Sequence, residues 1–347
     1  MRRRRFPPSL STWPAALAGL LALWIALSTA FSLDPGVSVR HFAGVLLLLA
    51  LPIAMDLLED VPRARALALS LGASGVVISL AGLLQYARGG DDLANRIRAH
   101  LSTYMTFSGL VLASGCLLLG FAFEERGRWR AVGFAAALPL GAMLLTFTRN
   151  AYVGALAALA AYLALRRPKG LLLLPAAVLL VFWLLPAGLR DRVRSIADLT
   201  DDTNRDRVAM AHAGFRMIAD FPLFGLGPDL VKPYYSRYRD PDAPSLRVPH
   251  LHNNALQLAA QSGVPAAAAY LALALLVLFQ AARRLRRERR PDRAALLAGA
   301  FLASVALFAA GFFEYNFGDT EIEMATLLIW AIPFAAATAP GEVNRES

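Results

Sequence analysis

The residues richest in chemistry lie in one short run, Pro249-His250-Leu251-His252-Asn253-Asn254, directly ahead of an apolar stretch. Histidine titrates near neutral pH, so His252 or His250 is suited to take a proton from a hydroxyl. Two plainer uses compete: an interfacial histidine that caps a helix, and a His-x-His metal pair, which finds no matching Cys or His partners in the sequence. Arginine supplies the second chemistry. Thr148-Arg149-Asn150 sits between two apolar stretches, Asn95-Arg96-Ile97-Arg98 precedes another, and Arg205, Arg207 and Arg216 fall in a long hydrophilic segment. A guanidinium presents fixed, planar donors that match phosphate oxygens in pairs. The same residues also suit a turn whose arginine snorkels to an interface. Carboxylates come from Glu314-Tyr315-Asn316 and from Asp319, Glu321 and Glu323. They suit pairing with the arginines, simple solvation, or a divalent cation.

A membrane must position these groups. Only 17% of the 347 residues are charged, against roughly 25% in soluble domains. The apolar residues gather in about ten blocks, most of them of about 17–25 residues and long enough to cross the hydrocarbon as a helix. They fall at 14–32, 41–58, 66–87, 103–123, 131–148, 151–165, 170–188, 254–281, 294–313 and 322–339. The expected fold is therefore all-α and polytopic. Seven transmembrane helices occupy 1–188, one long extracytoplasmic loop containing helices occupies 189–253, and three more helices with a short cytoplasmic tail occupy 254–347. The first block reads as a span and not as a cleaved signal peptide, since no small-residue cleavage site follows it. The single cysteine, Cys116, lies inside a block and excludes an intrachain disulfide.

The formal charge is +10, and its placement argues against nucleic acid. With the arginines at 2–5 in the cytoplasm, more than half of the 35 Lys and Arg residues fall on that side, in short basic runs such as 126–130, 166–169 and 283–293. Such runs orient membrane proteins and contact anionic lipid. That orientation, fixed only by cytoplasmic charge, places Arg96, Arg149, Arg207, His250, His252 and Asp319 together on the outer side. The 189–253 loop carries ten Lys and Arg residues against this trend, which an anionic ligand at the outer face would explain. Within the loop, Asp201 to Asn204 offer a helix cap and an acidic first turn. Val208, Ala211, Phe215 and Ile218 form an apolar stripe, with Arg205, His212 and Arg216 opposite and Arg207 at its edge. Phe221-Pro222 ends the helix, and Gly225-Leu226-Gly227-Pro228 makes a tight turn.

The order and spacing of these pieces resemble the O-antigen ligase and polymerase superfamily of bacterial membrane glycosyltransferases. The matching residues are Arg96 with Tyr104-Met105-Thr106-Phe107 downstream, Thr146-Phe147-Thr148-Arg149, Arg207, Pro222-Leu223-Phe224-Gly225-Leu226-Gly227, and His252-Asn253-Asn254-Ala255-Leu256 followed by Gly263. Two departures stand out: members commonly carry more spans, and Ala266 replaces a second glycine. The resemblance implies a donor glycan on undecaprenyl pyrophosphate, moved en bloc to an acceptor hydroxyl on lipid A–core, a growing glycan or a protein. It implies the inner membrane of a bacterium, a site facing the periplasm, inversion at the anomeric carbon, and neither metal nor cofactor. On that basis His252 is the base with His250 in reserve. Arg149, Arg207 and Arg96 bind the pyrophosphate. Asn253, Arg98 and Arg216 support them, and Asp319 orients a cation or a histidine. A polysaccharide or lipid transporter is the rival from another class, but transporters place polar groups near the midplane and show internal repeats. A membrane O-acyltransferase would use the histidine without needing the arginines.

Overall fold

The computed structural model describes residues 12–89, 96–198 and 200–335. The arginines at 2–5, Asn95 and the tail beyond 335 lie outside the described residues. All regular elements among the described residues are helical. The ten that matter here are α1 (Trp13–Ala30), α2 (Val61–Ala87), α3 (Tyr104–Glu124), α4 (Arg149–Arg166), α5 (Asp202–Asp220), α6 (Val231–Tyr238), α7 (Asn254–Ser262), α8 (Val264–Arg287), α9 (Pro291–Ala310) and α10 (Thr320–Ala335).

Five of these, α1, α2, α3, α8 and α9, are long and apolar enough to cross a membrane. The remaining expected spans are helical but shorter or interrupted. Residues 42–57 contain a 3-10 stretch at Leu46–Leu49, and 127–144 contain one at Phe134–Ala136. The helix inside 170–188 is only Leu174–Leu184. Helix α4 ends in Arg166, and α10 contains Pro333. Side-chain caps fix several starts. Asp60 accepts from the Arg63 amide at 2.8 Å to open α2, and Thr103 accepts from the Thr106 amide at 3.0 Å to open α3.

Helices α3 and α9 form the buried centre, and α4, α2 and α10 pack around them, while α1 lies against α8. Lipid tails are as apolar as leucine, so association here depends on close van der Waals fit. Glycines provide it. A Cβ at Gly120 of α3 would overlap the backbone of α9 at Ala295 and Gly299, and one at Gly154 of α4 would overlap the Ala306 carbonyl. At one end of the bundle Glu124 is gripped by Arg166 at 2.8 Å and by the Tyr162 hydroxyl at 2.7 Å. Arg149 begins the helix that Arg166 ends, so these two arginines sit roughly 25 Å apart by helical rise.

The amphipathic loop helix, α5, buries a different face from the one its pattern suggests. Val208 and Phe215 are exposed, while Ala209, Met210, Ala213, Gly214 and Met217 are buried. Both stripes are apolar, and the one with smaller residues packs more closely. Gly214 faces Leu251 and Leu256, where even a methyl group would crowd both side chains.

Candidate active site

The histidine run is held in place by backbone geometry on both sides. His252 adopts a left-handed backbone, φ 49°, a conformation that costs a non-glycine residue energy and concentrates at functional sites. Asn253 then caps α7 by accepting from the Leu256 amide at 2.9 Å, and its amide donates to the Phe312 carbonyl at 3.1 Å. Asn254 ties the same turn to the segment between α9 and α10. Its amide donates to Asn316 Oδ1 at 2.7 Å and to the Tyr270 hydroxyl at 2.9 Å, and its own carbonyl oxygen accepts from the Phe317 amide at 3.1 Å.

The glycine turn locks the other end of α7. Leu226 and Gly227 donate to the carbonyls of Ala260 and Gln261 at 2.9 and 2.8 Å. Gly225 and Gly227 have φ of 66° and 114°, and a side chain at Gly225 would strike the Gln261 backbone. From α1, the Ser28 hydroxyl and the Trp24 indole reach the Phe224 and Leu223 carbonyls at 2.7 and 2.9 Å.

These constraints bring both histidines onto one buried carboxylate. Glu314 is 5% exposed. Its Oε2 lies 2.8 Å from His252 Nδ1 and its Oε1 lies 3.3 Å from His250 Nε2, with the Tyr315 amide donating to Oε1 at 3.1 Å. The two rings stand 4.3 Å apart between centroids. Burial alone would raise the Glu314 carboxyl, but the His252 hydrogen bond and the charges of His252, His250 and Arg207 outweigh it and hold it below its ordinary value. Burial pushes the His250 imidazole down to about 4, against the pull of Glu314 and with the help of His252. His250 is therefore neutral at pH 7, and Glu314 is ionised. His252 differs in orientation: its Nδ1 faces the carboxylate, which leaves Nε2 to accept a hydroxyl proton, the geometry of a general base.

Asp319, expected to orient a cation or a histidine, makes other contacts. It accepts from the Thr106 hydroxyl at 2.5 Å and from the Ile322 amide at 3.3 Å. Burial raises its pKa, and Glu321 adds to the effect. The carboxylate on the histidines is Glu314, five residues earlier in the chain. Asp319, His250, His252, Glu314, Tyr104 and Lys232 nonetheless line one cavity of about 660 Å³.

The arginines converge beside it. Arg96 stacks on the Tyr104 ring at 4.4 Å. Arg192 feels the positive charges of Arg149 and Arg96, and burial together with these neighbours pushes its pKa down to about 10. Burial and then Arg149 also lower Arg207, which Glu314 and Asp201 partly offset. Arg207 Nε is buried without a hydrogen-bond partner. Arg149 is 4% exposed and already engaged: it donates to the Ser195 carbonyl at 2.8 Å, to the Ser195 hydroxyl at 3.1 Å, and meets Asp201 at 3.3 Å. A pocket of about 210 Å³ lies between Arg149, Asn150, Asn204 and Arg207. Arg192, absent from the sequence-based candidates, thus joins Arg96, Arg149 and Arg207 in one electropositive cluster. Two expected supports stand elsewhere. Arg216 pairs with Asp240 at 2.7 Å alongside His212, and Arg98 donates to the Ser102 carbonyl at 3.1 Å on the exposed surface.

Residues 134–271 match the family model described as O-antigen ligase. Over these residues the chain is similar to the O-antigen ligase family. The matched stretch holds Arg149, Arg192, Arg207, the glycine turn and both histidines. It stops before Glu314, so the carboxylate that organises the histidines comes from outside the O-antigen ligase match. No curated protein matches the chain.

Proposed function

We propose that this protein, similar over residues 134–271 to the O-antigen ligase family, transfers a glycan en bloc from undecaprenyl pyrophosphate to an acceptor hydroxyl at the extracytoplasmic face of a bacterial inner membrane. The observation that carries this reading is the Glu314–His252 pair in a cavity beside Arg207, with Arg149, Arg192 and Arg96 linked to Arg207 in a chain of like charges. Like charges held together in a partly dry site cost energy that an anionic ligand offsets. A pyrophosphate is such a ligand.

In this reaction the acceptor oxygen bonds to the anomeric carbon as the bond from that carbon to the pyrophosphate oxygen breaks. The acceptor proton passes to His252 Nε2, and Glu314 stabilises the imidazolium that forms. The electron pair of the broken bond leaves on undecaprenyl pyrophosphate. Arg207, with its unsatisfied Nε, is the forward cation, and Arg192, Arg96 and Arg149 add positive charge without a metal. Arg149 acts mainly through its charge and through the loop it holds, because its donors are committed to Ser195 and Asp201. A single displacement inverts the anomeric configuration. Lipid A–core, a growing glycan or a protein hydroxyl are the acceptor classes this chemistry serves.

The test is donor affinity and single-turnover rate for variants in nanodiscs. His252→Ala lowers turnover by about 10²–10⁴ with little change in donor binding. Arg207→Ala weakens both, and Arg207→Lys restores them only in part because a point charge lacks the planar fork. Near wild-type turnover in His252→Ala would remove the base assignment.

A further inference from the structure

Glu314 holds its two oxygens against two imidazoles at once, and each contact carries a ring proton. The His252 backbone amide donates to His250 Nδ1 at 3.3 Å, which places the His250 ring proton on Nε2, toward Glu314. His252 Nδ1 likewise points its proton at Oε2, 2.8 Å away. One ligand atom from each of His250, His252 and Glu314 lies within 4.8 Å of the other two.

That spacing is close to what a single tetrahedral cation requires. Zinc binds imidazole nitrogen at about 2.0–2.1 Å and carboxylate oxygen at about 2.0–2.2 Å, so its ligand atoms stand roughly 3.4 Å apart. The His250–Glu314 pair is already at 3.3 Å. The His252–Glu314 pair, at 2.8 Å through the other carboxylate oxygen, opens by about half an ångström, and the three ligand atoms, now within 4.8 Å of one another, draw together to that spacing around the cation. The fourth coordination position opens on the cavity of about 660 Å³ that both histidines and Glu314 line.

We propose that His250, His252 and Glu314 form a binding site for a zinc-class transition cation, and that occupancy of this site switches the enzyme off. Two nitrogens and one carboxylate select zinc, cobalt, nickel or copper over magnesium or calcium, which prefer oxygen ligands. The inhibitory sign rests on the base assignment proposed above, whereas the binding itself does not. A cation on His252 Nδ1 confines the ring proton to Nε2, the nitrogen that would otherwise receive the acceptor proton. It also takes Glu314 away from the imidazolium. His250 moves its own proton to Nδ1 and gives up the long bond from the His252 amide. The arginine cluster is untouched, so donor binding persists while turnover stops.

The experiment uses the full chain in nanodiscs, stripped with EDTA and desalted, and cobalt chloride as the first probe. Wild type takes up one cobalt per chain with a visible d–d absorption band. His250→Ala and Glu314→Gln each bind at least about tenfold more weakly, the scale on which metal affinity responds to a lost partner. Thermal unfolding of each variant shows that it is folded. Zinc chloride then lowers wild-type turnover, EDTA restores it, magnesium chloride has no effect, and donor affinity stays constant. Failure of wild type to bind cobalt, or undiminished binding in both folded variants, overturns the site. Zinc that stimulates turnover overturns the inhibitory role. A fully active His252→Ala variant that coexists with wild-type cobalt binding removes the proposed base and the inhibitory role with it, while the metal site stands.

Discussion

Glu314→Gln isolates the contribution of one buried charge at nearly constant volume. In the wild type Glu314 accepts two hydrogen bonds, from His252 Nδ1 at 2.8 Å and the Tyr315 amide at 3.1 Å, and meets His250 Nε2 at 3.3 Å. A glutamine supplies one acceptor oxygen and turns an NH2 toward one ring. Facing His252, that NH2 favours a proton on Nε2, the wrong tautomer for a base, as happens when the aspartate of a serine-protease triad is replaced by asparagine. A hydrogen bond to a charged group contributes about 1.5–3 kcal/mol. With about 1.36 kcal/mol per decade of rate, turnover falls roughly 10- to 150-fold. Donor affinity is unchanged under the proposed mechanism, which assigns the pyrophosphate to the arginines. Single-turnover rates with an undecaprenyl-pyrophosphate-linked glycan, and equilibrium donor binding on the same preparations, make the measurement. A Glu314→Gln variant within twofold of wild type, alongside a dead His252→Ala variant, would refute the carboxylate's role in orienting the base.

Three further outcomes follow from the same structure. Cysteine at Ser236 or Asp198 reacts with a membrane-impermeant thiol reagent in outer-permeabilised cells and cysteine at Glu288 does not; the opposite pattern inverts the topology. Gly120→Val separates the α3 and α9 backbones and destabilises the protein by about 1–3 kcal/mol or prevents folding, read as a lower melting temperature or lost expression. Because His250 is pushed from 6.5 to about 4 in the folded protein, stability is full above pH 6.5 and falls as the pH drops toward 4, by up to ~3 kcal/mol; a melting temperature equally acid-sensitive in a folded His250→Gln variant would contradict this.

Local patterns carried the sequence reading far. The apolar blocks became helices, Asp201 became a cap, and the glycines at 225 and 227 took the positive φ values that their turn demands. Arg149 and Arg207 influence one another, and Arg207 and both histidines act on Glu314. Contacts between distant parts of the chain were not legible. His252 and Glu314 are 62 residues apart, and nothing in the local composition distinguishes Glu314 from Asp319, Glu321 or Glu323. Arg192 sits in a mixed-charge run, Arg190-Asp191-Arg192-Val193-Arg194, whose alternation reads as a solvated face; only packing against Phe147, whose carbonyl accepts from Arg192 Nε at 3.1 Å, singles it out. The buried face of α5 was misassigned because hydrophobicity ranks Val208 and Phe215 above Ala213 and Gly214, while close packing favours the smaller pair.

The late position of Glu314 in the chain has a consequence for biosynthesis. A membrane protein emerges from its N-terminus, so Arg96, Arg149, Arg192, Arg207 and both histidines are all synthesised before the residue that pairs with the histidines. Asn254 likewise waits for Asn316 and Phe317 before its turn is fixed. A chain halted after α9 would hold nearly every recognisable motif and still lack the carboxylate that organises them. The nascent protein therefore meets its membrane, and any anionic lipids there, with its cationic groups in place and the His252–Glu314 pair still unassembled.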